Sequence, residues 1–581
     1  MAKVEPTQAT PRWVGHLAAI LAFAVGAFYV TAELWAAPAS RVPATNFEDY
    51  SLFQWFMAHA AHAVTHGENP LFTYAMNVPD GVNLMANTAM LAIAMPLVPV
   101  TLLFGAHTSI IVAFTASYFL TATAWYWLFT RHLLTHRGSA FVGAAFLGFS
   151  PAMIAHGCGQ PNLVAQFMIP LLAWATLRLR EPGWRAIVRN GVVLGLLAVI
   201  QVFINEEILF LTALALLLLV LSYAVMRPRE ARDHVRPFIT GLGVAFLVAA
   251  PLLAYPLWFQ FFGPRSYHGL PGYLGKYIAP IDSYVTYPRQ SILGSAERAA
   301  EVSLSPCEEH TLYGWPLVIV LLASIIWLWR NAMVRALAVT AMVFIVLSVG
   351  ADITLGELTI PGPWQWLEVL PLFNVVTPSR FGLLTTVVAG VVWALGLDRA
   401  LTVTHKRLAT RWIPYVVAAV VLVPLAPRPL PAIDRQVPEF FTSGEWRGYI
   451  PPGTSLVSVP LPSRNQEVLR WAARTTIGFD LASGYFLGPT GTNNRTGRFG
   501  PLPRPTENLF QQVASGATVE IDQSRKAAAL RDLRDWRASV VALDVKHPRE
   551  QQLRDMVTEL LGFPPQQVSG LWLWDVRSIV Q

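Results

Sequence analysis

The 581-residue chain is short of charge. Only 13% of its residues are Asp, Glu, Lys or Arg, while 54% are hydrophobic. Soluble domains carry about 25% charged residues, so a soluble fold of this size has too few charges to cover its surface. Lysine is scarcer still, with five against 37 arginines, and the Arg- and Ala-rich composition suggests a GC-rich bacterial genome. No run of five like charges occurs, so there is no basic arm, and the balance of +7 does not point to nucleic acid. Two cysteines exclude a disulfide framework and a Cys-rich metal site. No glycine-rich phosphate loop precedes a cytoplasmic helix, and the longest cytoplasmic loop has about 15 residues, which leaves no room for soluble nucleotide-sugar chemistry. Neither an internal repeat nor a low-complexity segment is present.

What the chain has in quantity is long apolar segments. A bilayer span needs about 20 apolar residues. Such segments are expected at about 14–36, 108–130, 139–156, 161–177, 188–204, 208–226, 237–260, 312–329, 334–350, 381–397 and 412–426. They predict an all-α polytopic membrane protein of about 11 transmembrane helices. The first is too long for a cleaved signal and carries Glu33 and Trp35 near its end. A twelfth apolar stretch, 86–104, holds Pro96 and Pro99.

Basic residues set the orientation. The segments 131–137, 178–189, 227–236, 330–335 and 399–411, with Lys3 and Arg12, carry 18 Lys and Arg, whereas the intervening loops carry five. The basic set belongs in the cytoplasm, with the N-terminus. Spans 14–36 and 108–130 then suffice to return the chain inside, so 86–104 is expected to re-enter or lie in the interface. The rival arrangement would make 46–85 cytoplasmic, although that stretch has no Lys or Arg. After Pro424, Pro427, Pro429 and Pro431 the composition changes. Three units follow: a transmembrane part over 1–426, a first external loop with interfacial helices over 37–107 within it, and an extracytoplasmic α/β domain over 432–581. In the last, 455–460, 539–545 and 570–576 read as strands, and about 519–536 and 548–561 as helices. The sequon Asn494-Arg495-Thr496 is read as a chance match.

Candidate chemistry collects in the outer loops. Asn46-Phe47-Glu48-Asp49-Tyr50 follows the first span, and an aromatic, uncharged helical stretch from Ser51 comes next, with Phe53, Trp55 and Phe56 as expected interfacial anchors. Glu48 and Asp49 either end the loop in water or supply a general base. Arg380, after Pro378-Ser379 at the start of a late span, either snorkels or meets an anion. Arg265, Lys276 and His268 lie in the 261–311 loop. Glu206 and Glu207 sit at an outer turn and could bind a sugar, hold a metal with water or pair with Arg265; Glu308-Glu309-His310 poses the same choice. His59, His62 and His66 share a helix face at i, i+3 and i+7, but without HExxH or a flanking acid they read as a polar stripe rather than a zinc site. Cys158 and Cys307 both fall outside, where an oxidising compartment allows one disulfide between their loops.

An acidic residue just after the first span, then interfacial helices, then many short-looped spans resembles the GT-C membrane glycosyltransferases. That superfamily includes protein O-mannosyltransferases, lipid A aminoarabinose transferases and the oligosaccharyltransferase catalytic subunit. The segments Gly67-Glu68-Asn69-Pro70-Leu71-Phe72, Pro79-Asp80-Gly81-Val82-Asn83-Leu84 and Pro378-Ser379-Arg380-Phe381 resemble uncharacterised bacterial members. The resemblance covers about 1–426 by topology. It implies transfer of a sugar from a polyprenyl-phosphate carrier to an extracytoplasmic glycan, lipid or protein, usually with inversion, in a bacterial plasma membrane. Asp49 matches the loop carboxylate that acts as base, with Glu48 beside it. Arg380, Arg265 and Lys276 are the cations for the donor phosphate, and Glu206, Glu207, His156, Gln160 and His268 line the substrate. The chain departs from the family where a second acid is usual: the next external loop reads His156-Gly-Cys-Gly-Gln160. Some members use a divalent metal, which the scattered acids here leave open. The competing readings are a transporter or flippase of lipid-linked precursors and a non-catalytic envelope assembly factor. Transporters often show repeat halves with helices broken at the midplane; no such symmetry is found, and charged residues cluster at span ends rather than in span middles.

Overall fold

In the computed structural model, residues 12–355, 358–404, 410, 412–491 and 493–580 are described. Lys3, Lys406, Arg407 and Arg411 of the basic set lie outside them. Seven helices among the described residues are long and apolar enough to cross a bilayer: Trp13–Val30, Ala106–Leu133, Arg137–His156, Trp184–Val202, Glu206–Met226, Pro228–Phe262 and Pro378–Thr404. Three further expected spans appear as the shorter helices Gly314–Trp327, Ala332–Ser348 and Ile413–Leu422. This is a mostly helical, multi-pass membrane protein.

The expected spans 139–156 and 161–177 are not continuous, the first being interrupted at Phe149-Ser150 between Arg137–Gly148 and Pro151–His156. The 161–177 segment is split into Pro161–Val164 and Met168–Arg178. Pro170 has no N–H to bond the carbonyl of Gln166, and its ring would collide with that carbonyl in an unbroken helix. Hydropathy is blind to this. The 86–104 stretch is broken as well, into Met85–Asn87, Leu91–Ala94 and Val98–Phe104. Thr88 and Met90, both at positive φ, turn the chain between the first two pieces.

Helices Trp184–Val202 and Pro228–Phe262 come close at small residues. A Cβ on Gly191 would stand 2.6 Å from the Gly241 carbonyl oxygen, and one on Gly195 2.7 Å from that of Ala245. This is the small-residue contact that lets membrane helices approach backbone to backbone. The second helix runs 35 residues, about 52 Å at 1.5 Å per residue, so its Arg-rich first turns extend beyond a hydrocarbon core of about 30 Å.

Helix Phe47–His66 starts at Asn46, whose side chain accepts from the Asp49 amide. It differs from the expectation of an interfacial helix. Phe53, Trp55 and Phe56 are buried, because one side packs on Ile110 and Phe114 and the other on Val468, Leu469 and Trp471. His59 is buried too and stacks on Trp55 with ring centroids 5.1 Å apart. Protein rather than lipid covers these aromatic rings.

The covering element is helix Glu467–Arg474, and in the same region lies a five-stranded mixed sheet. Its order is Gln566–Val568, Leu571–Asp575, Ala538–Asp544, Ser455–Ser458 and Asp480–Leu481, antiparallel on the first side of Ala538–Asp544 and parallel on the other. Val540 and Ala542 face the core shared with helix Phe47–His66, while Val541 and Leu543 face helices Pro505–Ser515, Gln523–Asp535 and Glu550–Leu561. Both faces are buried, which is why the strand reads as an unbroken apolar run rather than an alternating one. Strand Arg41–Pro43 pairs with Ala432–Asp434 and ties the first loop to the segment that leaves the last apolar helix.

Candidate active site

A cavity of about 1030 Å³ opens between the helices, the first loop and the sheet region. Asp49, Gln160, Glu206, Glu207, His268, Glu308, Arg380 and Tyr485 are on its wall. Its size suits a sugar-sized head group with its phosphate.

Asp49 lies in the first turn of helix Phe47–His66, and three donors converge on its carboxylate. Asn46 Nδ2 donates to Oδ2 at 2.9 Å, Gln160 Nε2 to the same oxygen at 2.8 Å, and the Tyr485 hydroxyl to Oδ1 at 3.0 Å. Asn46 is held at φ 50° as it caps the helix, a left-handed conformation that Asn tolerates better than most residues. Burial and the neighbouring Asp49 push the Tyr485 phenol well above its ordinary range, so it stays a donor. Glu48, one residue earlier, is exposed and off the cavity wall.

Arg380 holds the second charged centre. It forms an ion pair with Glu207 and contacts Glu308 Oε1 through Nε at 3.4 Å. Glu308 Oε2 accepts from Ser379 Oγ at 2.5 Å. The snorkelling alternative is therefore not what the geometry shows: the guanidinium is turned into protein and partnered. Glu207 pairs with Arg380 and not with Arg265, and its Oε1 is buried without a hydrogen bond. Glu206 accepts from Gln260 Nε2 at 2.6 Å. Among the described residues, Asp49, Glu206, Glu207 and Glu308 face the cavity against Arg380 as the one guanidinium or ammonium.

The other expected cations stand apart. Arg265 lies 3.6 Å from Asp80 and off the wall, and Lys276 is exposed on the turn Gly272–Lys276, also off it. His268 is on the wall, exposed, with its backbone bonded to Arg495 and Gly497. Among the described residues no three His, Cys, Asp or Glu side chains converge as a metal would need.

Behind Asp49 runs a buried polar chain. Gln160 Oε1 is 2.7 Å from His156 Nδ1, His156 Nε2 is 2.7 Å from His310 Nε2, and His310 Nδ1 is 3.0 Å from the Ser379 carbonyl oxygen. The loop that lacks a second acid thus offers Asp49 an amide, with an imidazole at its back. Cys158 and Cys307 are disulfide-bonded with Cα atoms 5.9 Å apart, which clamps the His156–Gln160 loop to the Glu308–His310 segment.

Tyr485, Asn46 and Gln260 were not singled out by the sequence. Asn46 had a readable signal, an Asn directly before a helical stretch. Tyr485 had none, since it lies 436 residues from Asp49.

No protein-family model matches the chain, and no curated protein does. Among solved structures, the oligosaccharyltransferase of Archaeoglobus fulgidus in its apo form superposes with a TM-score of 0.51 at 12% identity, over 91% of this chain and 70% of that one. ArnT from Cupriavidus metallidurans, bound to undecaprenyl phosphate, matches with a TM-score of 0.45 at 11% identity, over 99% of this chain and 100% of that one. The chain shares the fold of that A. fulgidus oligosaccharyltransferase.

Proposed function

We propose that the protein is a membrane glycosyltransferase that moves a sugar from a polyprenyl-phosphate carrier to an acceptor hydroxyl of an envelope glycan, lipid or protein. The N-terminus then faces the cytoplasm of a bacterial plasma membrane, and the cavity with the sheet region faces outward. The observation that carries the reading is the Asp49 carboxylate on the wall of a large cavity, fixed by Asn46, Gln160 and Tyr485, with a guanidinium on the same wall. The solved A. fulgidus enzyme that shares the fold is an oligosaccharyltransferase, and an A. fulgidus structure of that kind holds a dolichol-phosphate.

The chemistry follows from these groups. Asp49 accepts the proton of the acceptor hydroxyl, whose oxygen attacks the anomeric carbon from the face opposite the phosphate. The bond from that carbon to the phosphate oxygen breaks with its electron pair on the phosphate, so configuration inverts. Arg380 meets the charge that develops there, and a fixed cation aimed at that charge lowers the barrier without reorganising. Because Glu207 and Glu308 already hold this guanidinium, the phosphate approaches the N–H groups they leave free. Glu206, Glu207, Gln160 and His268 are placed to accept from or donate to sugar hydroxyls. Glu48, Arg265 and Lys276 sit off the wall and take no part in the step.

The test is Asp49→Asn against wild type in purified, reconstituted protein, with a panel of radiolabelled polyprenyl-phosphate sugars and cell-envelope acceptor. Loss of a general base lowers transfer by about 10²–10⁴-fold. Equal transfer by the two proteins would remove Asp49 as base.

A further inference from the structure

Asp49 lies where two surfaces of different character meet. On the helical side it shares the cavity wall with Glu206, Glu207 and Glu308, and Arg380 is their cation. On the side of the sheet region stands Tyr485, whose hydroxyl reaches Asp49 at 3.0 Å and whose ring is stacked on Phe499, with centroids 5.3 Å apart and planes 11° from parallel. Both rings are on the cavity wall. The turn that carries Arg464 packs against the same two residues. The Arg464 amide closes that turn on the Leu461 carbonyl oxygen. A Cβ on Gly500, the residue after Phe499, would stand 3.2 Å from Ser463 Cβ and 3.3 Å from the carbonyl oxygen of Gly484, the residue before Tyr485. Gly500 is at φ 69°, a conformation that glycine adopts freely.

The Arg464 side chain is exposed, and among the described residues its guanidinium has no hydrogen bond and no ion pair. Arg498 precedes Phe499 in strand Gly497–Phe499; its guanidinium has none either, and its Nε is buried without a partner. Both act on one carboxylate. Burial pushes the Glu507 carboxyl up, while the Ser463 hydroxyl that donates to it and the Arg464 and Arg498 charges pull it down. Glu507 is itself buried, so two guanidiniums face one enclosed acid and a positive charge is left over. That charge stands at the Asp49 end of the cavity. The wall residue Tyr273 feels both: burial and Tyr277 raise its phenol, Arg464 opposes them, and Asp49 adds to the rise. Two other exposed charges lie nearby, of opposite sign: Glu48, which acts on Tyr485, and Lys276, which ends the Tyr273 turn.

We propose that the acceptor is an anionic glycan. One of its sugar rings rests on Tyr485 and Phe499 with a hydroxyl at Asp49, and a carboxylate or phosphate on that sugar or the next is held by Arg464 and Arg498. This rests on the reading of Asp49 as base. The face of an aromatic ring is negative and attracts the polarised C–H bonds on the flat side of a pyranose. A guanidinium fits carboxylate and phosphate alike. The acid groups of such an acceptor stay at the basic rim, and only an uncharged hydroxyl enters the acid-lined cavity. Phe499, Arg464 and Arg498 select the acceptor; none of them touches the reacting atoms.

Saturation-transfer NMR on the full chain in nanodiscs, without donor, reads this directly. The probes are methyl glucoside, methyl glucuronide and methyl glucoside 6-phosphate, which differ only at C6, together with their galacto and manno counterparts. Irradiating the aromatic protons saturates sugar C–H protons, and the anionic probes bind about three- to tenfold tighter than the neutral one, as one or two solvent-accessible ion pairs allow. Molar salt removes the advantage, and the tighter of the two anionic probes identifies the acid. The double variant Arg464→Gln, Arg498→Gln binds all three probes equally, whereas Arg464→Lys, Arg498→Lys keeps the preference, which separates lost charge from lost fold. Phe499→Leu keeps the apolar bulk without the ring and weakens every probe about two- to tenfold. Three results would overturn the proposal: no saturation across the sugar panel, anionic probes no tighter than neutral ones, or a preference that survives in the double Gln variant. A short serine-containing peptide, run in parallel, shows whether the site takes protein instead. Failure here with transfer still dependent on Asp49 leaves the base in place. A preference set by Arg464 and Arg498 together with unimpaired transfer by Asp49→Asn keeps this subsite and overturns the base.

Discussion

The two ends of the helical part both use carboxylates, and they use them differently. At the basic end, Asp398 is surrounded by the turn before helix Arg137–Gly148. It accepts from the Thr135 amide at 3.1 Å, the His136 amide at 2.8 Å, the Thr135 hydroxyl at 2.8 Å and the Ser139 hydroxyl at 2.7 Å. Glu181 is similarly enclosed by Arg178, Arg189 and Asn190. Those partners fix a loop and leave no oxygen idle. At the cavity end, Glu207 keeps an oxygen buried without a partner, and Asp49 is held in place yet faces open volume. A carboxylate that only fastens the fold is saturated by its own neighbours. One that is fixed but turned toward a cavity has capacity left for a substrate.

The sharpest way to break this comparison is at Arg380. Removing its charge in Arg380→Gln leaves Glu207 and Glu308 buried together without their cation, at a cost of about 3–5 kcal/mol. Arg380→Lys separates fold from function. It keeps the charge but loses the planar fork, so thermal unfolding shifts less than in Arg380→Gln while transfer falls at least about tenfold. If Arg380→Lys transfers like wild type, Arg380 is a fastening residue of the Asp398 kind. The converse substitution is Asp398→Ala. It frees two amides and two hydroxyls at the half-exposed 135–139 turn, for about 1–3 kcal/mol. The melting temperature falls and transfer per folded molecule is unchanged. A loss of transfer at full folding would put the basic end in the mechanism.

How much of this was legible in the sequence depended on whether the cause was local. Asp49 was readable because the end of an apolar run, a pair of acids and an aromatic helical stretch lie within a few residues. Arg380 was readable as a charge at the end of a span. Its partners were not, since Glu207 lies 173 residues away and nothing local selects it over Arg265. The contact of His156 with His310 spans 154 residues and carries no pattern either. Phe53, Trp55 and Phe56 were misplaced because an aromatic helix has the same composition whether lipid or another helix covers it. The 161–177 segment was misread because hydropathy counts Pro170 as one neutral residue, whereas a helix loses a hydrogen bond and meets a ring there.

The smallest effect sharpens the comparison from the other side. Arg178 grips Glu181 with two N–H groups, at 2.7 and 3.0 Å, and holds its carboxyl down to about 2. The folded value is below the unfolded one, so the stabilisation is fully present above the ordinary carboxyl range near pH 4.5. It is lost as pH falls through about 2. The Glu181 side chain is 37% exposed, and solvent-accessible pairs of this kind contribute at most about 1 kcal/mol even with good geometry. Glu181→Gln at neutral pH therefore lowers the melting temperature slightly, and between about pH 4.5 and pH 2 the wild-type and variant unfolding curves converge. Added salt shrinks the difference at neutral pH, because water and ions reach this pair. The Glu207–Arg380–Glu308 group lies in a wall that excludes most of that screening, so the same salt series leaves the melting difference between Arg380→Lys and Arg380→Gln nearly constant. Equal salt sensitivity at both sites would mean that the cavity wall is as open to ions as the basic end, and the contrast between a fastened and a poised carboxylate would fail.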